Sequence, residues 1–487
     1  MLFNSYIFIL LFLPLCVVGY FGLNRLGRYK TAQAFLLAMS LWFYAYFTPS
    51  YLVIILASIA VNFLLTTLLH RTQHTILRKL LLLIALLFNL GILFHFKYYN
   101  FFLENINAIF GLSITTKKIL LPLGISFFTF QQISYVVDAY RGEVTQYPLL
   151  QYASFVVYFP QLIAGPIVTH DELIPQFLDL SKKKFNWDNF AKGMFLFALG
   201  LAKKVLIADT FGNAANLGFA SPFTLDTTNA LIISLSYTIQ IYFDFNGYCD
   251  MAMGIAKIMN IDIPQNFNSP YKALTITEFW DRWHMTLTRF LTKYIYIPLG
   301  GNRRGTVRTY INILLVFLVS GLWHGDNWTF VLWGLLHGLF SIFTRWQKKL
   351  FHRLPKILSW AITFSFLNIT WVLFRAETLL DAAYIIYQLF AGNFGPVNES
   401  LSAVFLLPEL QFLLDTVPFF GILQTIPNLW AIFAFVFSML LLLFSRNAHQ
   451  QMISFKPSTK NMLATYILLV WCILSLSGVS TFLYFNF

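Results

Sequence analysis

The sequence predicts an all-α, polytopic integral membrane protein, and three observations carry the prediction. Of its 487 residues, 58% are hydrophobic, 18% aromatic and only 11% charged, too little polar surface to cover a soluble globule of that length. Apolar stretches long enough to cross a bilayer, or nearly so, fill the chain almost end to end. The Lys and Arg residues behind the net charge of +13 lie in short clusters between those stretches, where the positive-inside rule places them. One membrane-embedded domain is expected over residues 1–487, with a core at 120–345, an external loop at 375–428 and no separate soluble domain.

Other classes fall away on the same features. No basic stripe with interleaved aromatics lies on a soluble element, so nucleic acid is not an expected partner; the lipid bilayer is. Cys16, Cys249 and Cys472 are too few and scattered for a disulfide framework or a thiol metal site. The first apolar segment has neither a basic n-region nor a small-residue cleavage site, and reads as a retained span.

In chain order, crossings are expected at residues 6–20, 32–47, 52–69, 80–96 and 120–137. Arg25, Arg28 and Lys30 follow the first span and Arg71, Arg78 and Lys79 the third, whereas Thr48, Pro49 and Ser50 follow the second; this alternation places the N-terminus outside. Residues 152–168 are apolar but broken by Pro160, Gly165 and Pro166 and flanked by basic residues on both sides, the pattern of a re-entrant segment. A span at 190–208 leads to an expected external loop carrying Asp209 and Asp226, and 230–248 returns. Residues 311–323 and 329–343 read as a hairpin of two short helices entering from the cytoplasm, because Arg303, Arg304 and Arg308 precede it and Arg345, Lys348, Lys349 and Arg353 follow. Residues 357–374 cross outward, an amphipathic helix capped by Thr378 with Asp381 in its first turn follows, and spans at 429–444 and 462–484 finish roughly ten crossings.

The chemistry concentrates between Thr275 and Gly325. Residues 275–297 read as one helix with a Thr275/Glu278 capping box, ended by Pro298. Trp280, His284, Leu287 and Leu291 then share one face and Arg282, Arg289 and Lys293 another. His284 on that apolar stripe is either a buried histidine satisfied by hydrogen bonds or a functional one. His324 is the stronger candidate: it sits at the hairpin tip between Gly321 and Gly325, which let another group approach the backbone, and ionisable groups at membrane depth are expensive. A tryptophan-rich hairpin can also pack a structural histidine. His337 shares a face with Trp333 and reads as structural.

Gln240, Asp244 and Tyr248 recur at i, i+4 and i+8, a polar stripe that must face protein or a water-filled cavity. Asp244 can orient a histidine, hold a cation or satisfy neighbouring donors. Gly300, Gly301, Asn302, Arg303, Arg304 and Gly305 can cradle a phosphate or form a basic cytoplasmic turn; there is no Walker pattern. Phe127 and Phe128 follow Gly124, Ile125 and Ser126, so no nucleophile elbow is present. His284, His324 and His337 lack close ligand pairs, and no metal is expected.

Five motifs occur in order: YFPQLIAGP at 158–166, YFDFNGYCD at 242–250, EFWDRWH at 278–284, YIYIPLGGNRR at 294–304 and SGLWHG at 320–325. With the opening Leu2, Phe3 and Asn4 and the run Phe374, Arg375, Ala376 and Glu377, they make the chain resemble the membrane-bound O-acyltransferase family, in particular its bacterial branch of alginate and peptidoglycan O-acetyltransferases. D-alanine-transferring members look similar but usually lack the turn from Pro298 to Arg304. The resemblance implies short and re-entrant helices around a central histidine tunnel in a bacterial inner membrane. It puts the family's essential histidine on His324 and its second motif position on His284. The implied reaction is acyl transfer from a cytoplasmic thioester, acetyl-CoA, with no bound cofactor. His324 would act as general base, a role worth about 10² to 10⁴ in rate. His284, Asp244, Asn246, Tyr242 and Trp323 would orient the reactants, and Arg282 or the turn at Arg303 and Arg304 would meet donor phosphates. A periplasmic O-acetyltransferase or polysaccharide-modification complex is the implied partner. The rival classes are a transporter or flippase for a glycan precursor, with the polar stripe and histidines as a proton relay, and a scaffold of a polysaccharide synthase complex.

Overall fold

A computed structural model of the chain describes residues 1–417, 426, 428–476 and 482–483. Among these residues the secondary structure is entirely helical. By length and composition, five of the helices can cross a membrane: Phe8–Arg25, Tyr51–Arg71, Thr75–Phe110, Thr306–His324 and Lys356–Arg375. The expected last span, 462–484, is helical at Thr459–Leu474; residues 477–481 and 484 of it lie outside the described residues. Eight helices matter for the site: α1 (Thr75–Phe110), α2 (Ile125–Arg141), α3 (Thr227–Ile258), α4 (Ile276–Arg282), α5 (Met285–Leu291), α6 (Thr306–His324), α7 (Trp328–Trp346) and α8 (Lys356–Arg375).

At the centre stands α3, 32 residues long and buried along almost all of it. The helix Trp187–Ala202 packs on it through paired glycines. A Cβ at Gly193 would lie 2.6 Å from the Gly254 carbonyl oxygen, and one at Gly200 would lie 2.6 Å from that of Gly247. Two glycine pairs, each seven residues apart, let the backbones touch, the usual solution where apolar burial does not distinguish protein from lipid. The polar stripe on α3 faces protein as expected: Gln240, Asp244 and Tyr248 are 7%, 1% and 4% exposed.

Several expectations change in the structure. The stretch after Ala208 is no loop: a π-helical turn, Lys203–Ala208, runs on into the helix Asp209–Ala220, because Lys204 reaches Asp209 at 2.8 Å across that turn. Of the apolar stretch 120–137, only the part from Ile125 is helical; Pro122 and the left-handed Gly124 (φ 69°) delay the start, and a Cβ at Gly124 would lie 2.7 Å from Leu162 O. Residues 152–168 contain two short helices, Leu149–Val157 and Phe159–Leu162, parted at Tyr158 and buried, as interrupted backbone at membrane depth requires.

The expected single helix over 275–297 is three pieces: α4, α5 and a π-helical turn, Thr292–Tyr296. His284 breaks it in a left-handed conformation (φ 46°, ψ 49°), so the shared face of Trp280, His284, Leu287 and Leu291 does not exist. The break costs an L-residue of order 1 kcal/mol or more and is held by Asn266. Its carbonyl oxygen accepts from Met285 N at 3.0 Å, and its side-chain oxygen accepts from Thr286 N at 3.2 Å. Thr275 caps Glu278 N as expected, but the Glu278 carboxylate answers to Leu274 N.

The hairpin is also longer than the apolar run suggested. α6 and α7 have 19 residues each, about 28 Å at 1.5 Å per residue, so α6 is long enough to cross. Polar Thr306, Arg308, Thr309 and Tyr310 on its first turns hid that length in the sequence. The glycines serve the hairpin itself: a Cβ at Gly321 would overlap the Phe330 carbonyl oxygen, one at Gly334 that of Phe317, and one at Gly325 the Phe330 ring. The group that approaches Gly321 and Gly325 is thus α7. Beyond α8, the capping box of Thr378 and Asp381 starts the helix Leu379–Phe390 as expected.

Candidate functional site

His324 is the last residue of α6 and is 2% exposed. Its ring lies 4.9 Å from Trp323, 5.2 Å from Trp333 and 5.0 Å from Phe374, centroid to centroid. His284 is fully buried, 4.9 Å from Phe245 and 5.9 Å from Trp323. The two imidazoles stand 6.5 Å apart. Elements far apart in sequence thus converge, α6 and α7 with the α4–α5 break, and Trp323 touches both histidines. A narrow cavity of about 20 Å³ opens at His324, bordered by Lys97, Gly124, Ser126, Phe127 and Ile163, enough for one or two water molecules.

The hydrogen bonds assign a tautomer to His284. Asn266 Oδ1 accepts from Thr286 N and from Thr286 Oγ1 at 2.9 Å, so that oxygen is an acceptor. His284 Nδ1 lies 3.2 Å from it and must donate. Nε2 is therefore the bare nitrogen, and it is buried with no hydrogen-bond partner. His337 shows the opposite arrangement. Trp280 Nε1 donates to its Nδ1 at 3.3 Å, which leaves Nε2 to donate to Thr370 Oγ1 at 3.1 Å. Both His337 nitrogens are satisfied, which is the chemistry of a structural residue.

The other candidates are not all brought to the histidines. Asp244 is held by Lys204 at 2.6 Å and by Leu483 N at 2.9 Å; Asn246 is held by Lys203 at 2.6 Å, which also pairs with Asp250 at 2.6 Å. Tyr242 lies on Trp283 and Tyr271, one residue away from His284. Arg282 pairs with Glu278 at 2.7 Å along α4. Arg303 and Arg304 are exposed on a turn made by left-handed Gly300 and Gly301 and pinned by Asn312 Nδ2, which donates to Gly301 O at 2.9 Å. A second cleft of about 320 Å³ begins at Tyr296, Asn302 and Arg345 and extends past Trp280 to Ser320, one helical turn before His324. Among the described residues no cluster of His, Cys, Asp and Glu could hold a metal ion.

Sequence reasoning missed Lys97, Asn266, Lys203 and Lys204. The three lysines carried a signal, since cations inside or beside apolar stretches must find partners. Asn266 carried none beyond its place in the irregular run between Pro264 and Pro270.

Residues 111–380 match the membrane-bound O-acyltransferase family. The chain is 40% identical to the peptidoglycan O-acetyltransferase of Helicobacter pylori, over all of this chain and 98% of that one. It is 39% identical to the probable alginate O-acetylase AlgI of Pseudomonas aeruginosa over 82% of this chain and 76% of that protein. To the teichoic acid D-alanyltransferase of Bacillus subtilis the identity is 29%, over 52% of this chain and 69% of that one. Helices long and apolar enough to cross a membrane and this near full-length similarity agree: the chain belongs to the membrane-bound O-acyltransferase family and is an O-acyltransferase.

Proposed function

We propose that the chain takes an acetyl group from acetyl-CoA at the cytoplasmic face of the bacterial inner membrane and delivers it to a glycan hydroxyl on the other side. Peptidoglycan is the favoured acceptor, because similarity to the Helicobacter pylori enzyme covers 98% of that protein whereas similarity to the AlgI proteins covers 76% to 87% of theirs. The observation that carries the reading is His324 itself, a buried imidazole that borders a narrow cavity, with a larger cleft ending one helical turn away at Ser320. The donor occupies the cleft, with Arg303 and Arg304 beside its mouth at Asn302 meeting the phosphates. His324 removes the proton from the acceptor hydroxyl; the oxygen bonds to the acyl carbon, the carbon–sulfur bond breaks, and the proton leaves with the thiolate as CoA.

His284, with a bare Nε2, orients the reactants beside Trp323. Asp244, Asn246, Tyr242 and Arg282 support the surrounding helices, and the whole chain acts as one catalytic domain with its core at 120–345. A periplasmic polysaccharide-modification partner docks on the external segment 375–428, of which residues 418–425 and 427 lie outside the described residues, and presents the acceptor glycan to the site. In cells relying on this chain, His324→Ala is expected to leave abundance in the membrane unchanged and to abolish base-labile acetate on the envelope glycan. Normal acetylation in that variant refutes the assignment.

A further inference from the structure

Lys97 is 6% exposed, inside a π-helical turn of α1, Phe94–Tyr98. Its ammonium donates to the carbonyl oxygens of Trp323 at 2.6 Å and His324 at 3.0 Å, and the neighbouring Tyr98 hydroxyl donates to Leu322 O at 2.7 Å. These three carbonyls close the last turn of α6. Helix C-termini leave such acceptors without intrahelical donors and carry the negative end of the dipole, so a cation is the best cap available there. Adjacent residues of a regular helix do not face one partner; in the wider π turn both Lys97 and Tyr98 reach α6, and such turns gather at functional sites. Lys97 also borders the narrow cavity at His324.

We infer that Lys97 is a positioning residue for acyl transfer: by holding the Trp323 and His324 carbonyls it fixes the end of α6 and, through the backbone, the His324 imidazole. The inference rests on the reading of His324 as general base. A terminal helical residue frays unless tied down, and a misplacement of about 1 Å at a reacting group costs about 10²-fold in rate. Because its ammonium is engaged by two carbonyls inside the protein, Lys97 does not serve the donor's phosphates, and its loss acts on turnover instead of donor binding.

The test uses membranes containing the full-length chain, acetyl-CoA as donor, and base-labile acetate on the envelope glycan as readout, normalised to folded protein by fluorescence-detected gel filtration. Lys97→Met is expected to lower kcat at least tenfold with KM for acetyl-CoA unchanged. Lys97→Arg, which keeps a cationic donor, is expected to recover at least threefold over Lys97→Met. Wild-type kcat in Lys97→Met overturns the inference, and so does a raised KM at constant kcat. Should Lys97→Met not accumulate, Lys97→Gln decides by the same two criteria. His324→Ala is run alongside: activity in that variant removes the reading of His324, whereas an inactive His324→Ala beside a fully active Lys97→Met removes only the inference about Lys97.

Discussion

Three buried histidines lie within this cage, and their hydrogen bonds separate them. His337 uses both nitrogens on Trp280 and Thr370; His284 uses one on Asn266 and keeps the other bare. Removing a partner from a buried polar group costs about 1–3 kcal/mol. His337→Phe is therefore expected to lower thermal stability in detergent by that order while acetylation per folded protein stays near wild type. Asn266→Leu removes the acceptor that fixes the His284 tautomer and one of the bonds that hold its left-handed backbone. A misplacement of about 1 Å at a reacting centre can cost about 10²-fold, and acetylation per folded protein should fall at least about tenfold. Equal activity in the two variants would show that the tautomer is irrelevant. That His324 is buried was legible in the sequence, from its place in an apolar, tryptophan-rich hairpin, although its flanking glycines serve the contact with α7. The conformation of His284 was not, because a single left-handed residue leaves the apolar spacing on either side intact, and the residue that stabilises it is eighteen positions away.

Elements were legible where one physical rule acts alone. Apolar length announced Tyr51–Arg71 and α8, and the capping pair Thr378 and Asp381 announced the helix after it. Rules that depend on a partner were not readable: the polar first turns of α6 concealed its full length, and Lys204 carries a helix through what its Asp209 neighbour made look like a loop. The glycines of the hairpin illustrate the difference, since their need is set by α7 and not by anything local. Gly321→Ala would drive a Cβ into the Phe330 carbonyl oxygen, a backbone clash that no rotamer change relieves. Overpacking of this kind costs about 1–3 kcal/mol, and the displaced α6 end carries His324 with it, so both melting temperature and acetylation should fall. Gly22→Ala is the matched control: its Cβ meets nothing within 4 Å in the helix Leu13–Arg25, and alanine is favoured there by up to about 1 kcal/mol. A destabilised Gly22→Ala beside an unaffected Gly321→Ala would contradict the hairpin geometry.

At the scale of the whole molecule, charge and packing give one orientation. The ends of α6, α7 and α8 near residues 303–308 and 345–356 carry Arg303, Arg304, Arg308, Arg345, Lys348, Lys349, Arg353 and Lys356, whereas the opposite ends carry Asp326 and Glu377 and one cation, Arg375. Those opposite ends are tied together: Asn327 Nδ2 donates to Glu377 O at 2.6 Å. The positive-inside rule puts the basic ends in the cytoplasm, on the side of the proposed donor, and the Asn327–Glu377 tie outside, on the side of the proposed acceptor. The three native cysteines are all buried, so single-cysteine variants can be labelled over a low background. With a membrane-impermeant maleimide applied to cells with a permeabilised outer membrane, Glu377→Cys should label at once. Arg304→Cys should label only after the inner membrane is opened. Labelling of both from the same side would mean that α8 does not cross, and the donor and acceptor faces assigned to His324 would have to be redrawn.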